Sequence, residues 1–185
     1  GSTLTSDALT GNAFLTTRIS AAVAACVWLL AEVFTIGKPT TLGFASGAVA
    51  GLVGITPAAG FVGPLGAIAI GAAAGLICFW ALKLKFRFGF DDSLDVIAVH
   101  VVGSIIGLLL VGVLADSAVT DLVAGWDQLG RQALSIVIAF SFSFVVSYAL
   151  VKAIDVTMGI RVTEDEERAG LDITLHEEQS YVFGE

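Results

Sequence analysis

PTTLGFASGAVAGLVGITPAAGFVGPLGAIAIGAAAGLICFWAL, residues 39–82, is a run of 44 residues without a formal charge, bounded by Lys38 and Lys83. As one helix it would measure about 66 Å at 1.5 Å per residue, against a hydrocarbon core of about 30 Å. The run therefore crosses a bilayer twice. Thr56-Pro57-Ala58-Ala59-Gly60 followed by Gly63-Pro64 supplies the break, because proline and glycine end helices.

The same length rule, applied outward, gives three more spans. Five helices are expected, over residues 12–36, 41–58, 62–82, 93–115 and 131–156, an all-α polytopic transmembrane bundle. Arg18 and Glu32 fall toward the ends of the first, where long side chains can snorkel. A β-barrel is argued against by the lack of alternating segments of about ten residues. No secretory signal is expected, because the first apolar run is too long and lacks a basic leader.

Composition agrees. Of 185 residues 56% are hydrophobic and 14% charged, with a mean hydropathy of +0.91; soluble domains carry about 25% charged residues. That excludes disordered, collagenous and disulfide-scaffold classes. The net charge of −8 argues against a nucleic-acid partner. Cys26 and Cys78 lie in apolar runs and need no disulfide. From Arg161 onward there are eight acids and two bases, so most of the acidity belongs to a short tail. Two regions follow: a membrane region over 1–157 and an acidic tail over 158–185.

Five crossings put the two ends on opposite sides. Lys38, Lys83, Lys85, Arg87, Lys152, Arg161 and Arg168 fall on the side of the C-terminus, and Arg18 and Arg131 on the other. The positive-inside rule then places the tail in the cytoplasm, and the acidic loop of residues 116–128 outside.

Gly43, Gly47 and Gly51 recur every four residues, as do Gly71 and Gly75, and Gly103 and Gly107. In lipid such spacing lets helix backbones approach closely. It fits generic packing and a bundle tight enough to enclose a narrow path equally well. His100 says more. It stands seven residues into the span 93–115, and an ionisable group at membrane depth is a functional candidate because lipid exposure is costly. On an ideal helix Val96, Gly103 and Gly107 share its face. Desolvation favours a neutral imidazole, one nitrogen donating and the other accepting. Such a group can pass a proton or hold a polar solute; alternatively it only hydrogen-bonds a neighbouring helix. Asp92 or Ser93 reads as the N-cap of this helix, and Asp95, one turn further in, needs a partner that ties helices together.

Catalytic and metal readings fail on spacing. The sequence holds neither HExxH nor a Walker A run. Phe44-Ala45-Ser46-Gly47 misses the GxSG of rhomboid-type proteases at its first glycine, leaving a Ser46–His100 dyad as a remote hydrolase alternative. No metal site and no cofactor are expected, and His176 is a tail residue.

The run from Ala45 to Pro64, with Ile55-Thr56-Pro57-Ala58-Ala59-Gly60 inside it, closely resembles the ammonium transporter (Amt) family. So does Arg87-Phe88-Gly89-Phe90-Asp91-Asp92-Ser93-Leu94-Asp95-Val96, with His100 four residues on. Glu166-Glu167-Arg168-Ala169-Gly170-Leu171-Asp172 looks like the start of that family's cytoplasmic tail. The likeness runs the length of the chain and favours the Amt branch over the Rhesus proteins. It implies eleven spans, of which these are the last five, in a trimer with one pore per subunit. His100 would be the second of two pore histidines, with Val96 lining the pore one turn away. Ser2 would match the serine of an outer recruitment site, where aromatic rings hold ammonium by cation–π attraction. An N-terminal half, with the outer aromatics, a phenylalanine gate and the first histidine, is expected upstream or as a separate chain. For the tail, whose composition alone reads as a solvated extension, the resemblance implies order. Its contacts would be neighbouring subunits and a PII-type signalling protein, with Arg161, Glu166, Arg168, Gly170, Leu171 and Asp172 as the matched residues. Two readings of function compete: a conductor of ammonium or ammonia in the cell membrane, and a non-transporting ammonium sensor on the same scaffold. Neither is an enzyme.

Overall fold

The computed structural model describes residues 3–179. All its regular elements are helical: α1 (Ala8–Ile36), α2 (Thr41–Ile55), α3 (Pro64–Ala81), α4 (Lys83–Phe88), a π turn (Ile97–Val101) running into α5 (Val102–Leu114), α6 (Trp126–Met158), α7 (Glu164–Ala169) and α8 (Leu171–His176). Four helical stretches are long and apolar enough to cross a membrane, Ala8–Ile36, Pro64–Phe88, Ile97–Leu114 and Trp126–Met158. α2, the remaining expected span, is a shorter apolar helix of 15 residues. Two compact units divide at Ile138/Ala139.

In the first unit α1 packs on α2 and α3, and α5 packs on α2 and α3. Glycine makes this approach possible. A Cβ at Gly71 would stand 2.5 Å from the Ser20 carbonyl oxygen, and one at Gly75 would stand 2.6 Å from that of Ala24. A Cβ at Gly107 would run into the Gly54 carbonyl oxygen and stand 3.0 Å from Pro57. The four-residue spacing read in the sequence is therefore close packing among α1, α2, α3 and α5. Around it Trp28, Ala50, Cys78, Phe79 and Val99 form one apolar cluster, and Ile55, Ala58, Val62, Ile70 and Val111 another.

The break between α2 and α3 is a tight turn and not an exposed loop. Ala58, Ala59 and Val62 are buried. Non-helical backbone at membrane depth needs partners inside the protein, and α1 provides them. Asn12 Nδ2 donates to the carbonyls of Ala59 (3.1 Å) and Val62 (3.0 Å), and Thr16 Oγ1 reaches Ala59 at 3.3 Å. One turn on, Ser20 Oγ donates to the Gly51 carbonyl at 2.9 Å.

Glu32 departs from the snorkelling expected of it. It is 5% exposed, and its carboxylate accepts from Thr40 N–H at 2.8 Å and Thr40 Oγ1 at 2.9 Å. Burial follows from the tight α1–α2 turn, where Gly37 at φ +89° reverses the chain. Gly43, lacking a side chain, leaves room for the carboxylate. Arg18 is exposed, with its guanidinium 5.0 Å from the Phe14 ring centroid.

In the second unit α6 continues and ends at Met158, with Phe140, Phe144 and Tyr148 stacked along one side at centroid spacings of 6.3 and 6.2 Å. No residue of α6 is buried. α7 opens with a capping box: Thr163 Oγ1 accepts from the Glu166 amide, and the Glu166 carboxylate accepts from Thr163 N–H. These bonds hold the Glu166 carboxyl below the usual carboxylate range, the backbone bond contributing most.

Candidate functional site

The site is built around the start of the helix that carries His100. Asp92 to Asp95 form a turn, closed by the Asp95 amide on the Asp92 carbonyl at 3.4 Å, and the helix begins at residues 96–97, later than the expected 93. The Asp92 carboxylate decides this, since its two oxygens take the amides of Val96 (2.8 Å) and Ile97 (2.9 Å). Asp92 thus caps the helix through side-chain acceptance, the role its sequence position suggests. Asp95 stands in the turn at φ +58°, a left-handed conformation, so it does not lie one turn inside the helix. Its carboxylate is 2.7 Å from Lys85 Nζ, and the same ammonium donates to the Asp92 carbonyl at 3.1 Å.

Residues 97–101 then make a π turn, in which Val102 N–H reaches the Ile97 carbonyl five residues back. The extra residue shifts the register. Ala98 and Val99 join Gly103 and Gly107 on the packed face, whereas Val96, Ile97 and His100 are exposed. His100 therefore does not share a face with Gly103 and Gly107, as an ideal α-helix would have it. Val96, 46% exposed, stays on its side. Among the described residues, no hydrogen bond joins the imidazole to another side chain, and none links Ser46 to His100.

Lys85 is the residue that sequence reasoning missed. The signal existed, since Lys85 and Asp95 are opposite charges assigned to the same membrane edge on consecutive spans. Ser2 lies outside the described residues. Of the tail residues, Glu166 closes the capping box, Arg168 pairs with Glu164, and Gly170 at φ +98° turns the chain into α8. Leu171 begins α8, and Asp172 lies in its first turn, where its carbonyl accepts from Glu178 N–H at 2.9 Å. Arg161 precedes α7. Among the described residues no group of three or more His, Cys, Asp or Glu side chains is arranged to hold a metal ion.

Apolar helices of this length, packed through glycine, define a multi-pass membrane protein. The sequence pattern of the Ammonium Transporter Family matches residues 1–181. An ammonium transporter of Mycobacterium tuberculosis (strain H37Rv) is 43% identical over 195 residues, covering 99% of this chain and 41% of its own. Ammonium transporter Amt1 of Archaeoglobus fulgidus is 42% identical, over 98% of this chain and 47% of its own. The crystal structure of Saccharomyces cerevisiae Mep2 superposes with a TM-score of 0.80 at 32% identity, covering 86% of this chain and 39% of that one. A structure described as a Sensor Amt Protein superposes with a TM-score of 0.83 at 31% identity, covering 92% and 43%. The chain belongs to the Ammonium Transporter Family, a family of transporters and not of enzymes. It spans a little under half the length of the curated relatives it matches.

Proposed function

We propose that this chain forms the second half of an ammonium-conducting pore, with His100 and Val96 on the conduction path. The observation that carries the reading is His100, exposed beside Val96 on a membrane-depth helix whose opposite face is fully packed. A polar group left open to hydrocarbon is costly, so this face calls for a covering of protein around a narrow path. The remaining half of the family fold, on the same or a separate chain, is the proposed cover. Ammonium and potassium share charge and approximate size, so a wet cationic pathway would confuse them. A dry pore penalises any bare cation by about 2.5–3.5 kcal/mol or more per charge. Ammonium escapes that penalty by shedding a proton and crossing as the amine, hydrogen-bonded along the way by a neutral imidazole.

The rest of the reading extends from there. Ser2 contributes to recruitment of ammonium at the outer mouth, three copies assemble in the cell membrane, and the C-terminus is cytoplasmic. The tail, through the segment from Arg161 to Asp172, meets neighbouring subunits and a PII-type protein. Ordered helices α7 and α8 support a docking role over a merely solvated extension. A second reading, an ammonium sensor that does not transport, draws on the structural likeness to the Sensor Amt Protein.

Current recordings on the complete protein, after jumps of ammonium or potassium, test the proposal. Ammonium alone should give current or labelled-amine flux, and His100→Ala should weaken flux or admit potassium. No flux from the intact protein would favour the sensor. Unchanged flux and unchanged rejection of potassium in His100→Ala would overturn the role of His100.

A further inference from the structure

We propose that Lys85, Asp95 and Asp92 form a latch that holds residues 97–101 in the π register, and thereby sets the direction in which His100 points. The functional half rests on the reading of His100 as a path-lining residue; the structural half stands without it.

A π turn fits one more residue than an α turn around each hydrogen bond and is rare unless something outside the ladder supports it. Nothing within Ile97-Ala98-Val99-His100-Val101 asks for it. The support comes from the two ends. On the C-terminal side Gly103 and Gly107 are seated against Val53, Gly54 and Pro57, with no room for a side chain at Gly107. On the N-terminal side Lys85 Nζ grips Asp95 Oδ1 at 2.7 Å and the Asp92 carbonyl at 3.1 Å. The Asp92 carboxylate fixes the first amides, Val96 and Ile97. Asp95 is held at φ +58°, a left-handed conformation that glycine adopts freely and that aspartate tolerates better than most residues. Its carbonyl still accepts Val99 N–H at 2.9 Å. Between these two fixed ends the chain has one residue more than an α ladder accommodates, and the surplus sits at 97–101.

The consequence is specific. In the α register Val102 N–H would bond the Ala98 carbonyl, and His100 would rotate toward the side of Gly103. In the π register Val102 N–H bonds Ile97 and His100 stays beside Val96. Lys85, Asp95 and Asp92 are thus positioning residues that act through the backbone.

The test uses the complete transporter in liposomes and its structure in lipid nanodiscs. Asp95→Asn removes the charge with little change of shape. Lys85→Gln leaves the Asp95 carboxylate in place and serves if Asp95→Asn does not accumulate. Both should lower maximal methylammonium flux about tenfold per folded molecule, as small displacements of positioned groups do, with the half-saturating concentration unchanged. Lys85→Arg, which can still pair, should restore most of the flux. The variant structures should show Val102 N–H bonded to Ala98 in place of Ile97. A retained π turn in both variants would overturn the latch, whatever the flux. An altered register with normal flux in the latch variants and in His100→Ala would uphold the latch and refute the role of His100. Altered register with normal flux, where His100→Ala alone loses it, would overturn the functional half.

Discussion

Along the helix formed by the π turn and α5, the face that carries Gly103 and Gly107 and the face that carries Val96 and His100 are built from the same apolar alphabet but meet opposite surroundings. The first is closed at Gly107 by the backbone of α2 and at Gly103 by the side chains of Val53 and Cys78. The second presents an imidazole and a valine that are exposed among the described residues. The packed face fixes where the helix sits, and the open face inherits that position. A substitution on the packed face should therefore act through stability, and one on the open face through transport.

The sharpest way to break this contrast is to crowd the closed side. Gly71→Leu or Gly107→Leu would drive a side chain into the backbone of α1 or α2, and overpacking of this kind costs about 3 kcal/mol. Thermal unfolding in detergent should show a large drop or no folded protein. A Leu variant that unfolds like the wild type would mean the helices are not interlocked as described.

Glu32→Ala comes next. It removes two hydrogen bonds that a buried carboxylate accepts from Thr40, and bonds to charged groups contribute about 2 kcal/mol. A loss of that order, read by the same unfolding measurement, is expected, with Glu32→Gln retaining part of it. Ser20→Ala removes the single bond to the Gly51 carbonyl and should cost about 1 kcal/mol. Together these three grade the packed region from backbone contact to a lone hydroxyl.

The smallest effect belongs to the tail, where the folded pKa of Glu166 lies below its unfolded value because Thr163 bonds its carboxylate. A depressed pKa gives stability that is present above the ordinary carboxylate range and is lost as pH falls through the folded value. The protection of the Glu166 amide, corrected for the intrinsic exchange rate at each pH, should therefore fall only in acid, while protection within α1 is kept. Equal loss of protection in both places would deny the tail its separate, weakly held character.

The sequence was a good guide where hydropathy and chain length decide the outcome. An uncharged run of 44 residues cannot be one span, and Pro57, Gly60, Gly63 and Pro64 mark its break, so α2 and α3 were legible with their turn. Periodic glycines pointed to close packing, and the capping role of Asp92 follows from a carboxylate ahead of an apolar run. The family strings carried what composition could not, because ammonium leaves no compositional trace. Illegible were features set by a partner distant in sequence. The left-handed Asp95 depends on Lys85, ten residues earlier on another helix, and the π turn depends on both ends being held. Glu32 looked like a snorkelling acid because its burial is decided by Thr40 and by the missing side chain of Gly43. The extension of α3 into α4 went unread for a simpler reason: its alternating lysines and arginine mark a membrane edge, which says nothing about where the helix stops.

Open and packed faces divide transport from stability. Labelled methylammonium flux into liposomes, measured per folded molecule of the complete transporter, tests it in His100→Ala and Ser20→Ala side by side. His100→Ala should lose most of its flux or its discrimination against potassium at near-normal stability, and Ser20→Ala should keep its flux while melting earlier. Full, selective flux in His100→Ala, or an equal loss in both variants, would contradict it.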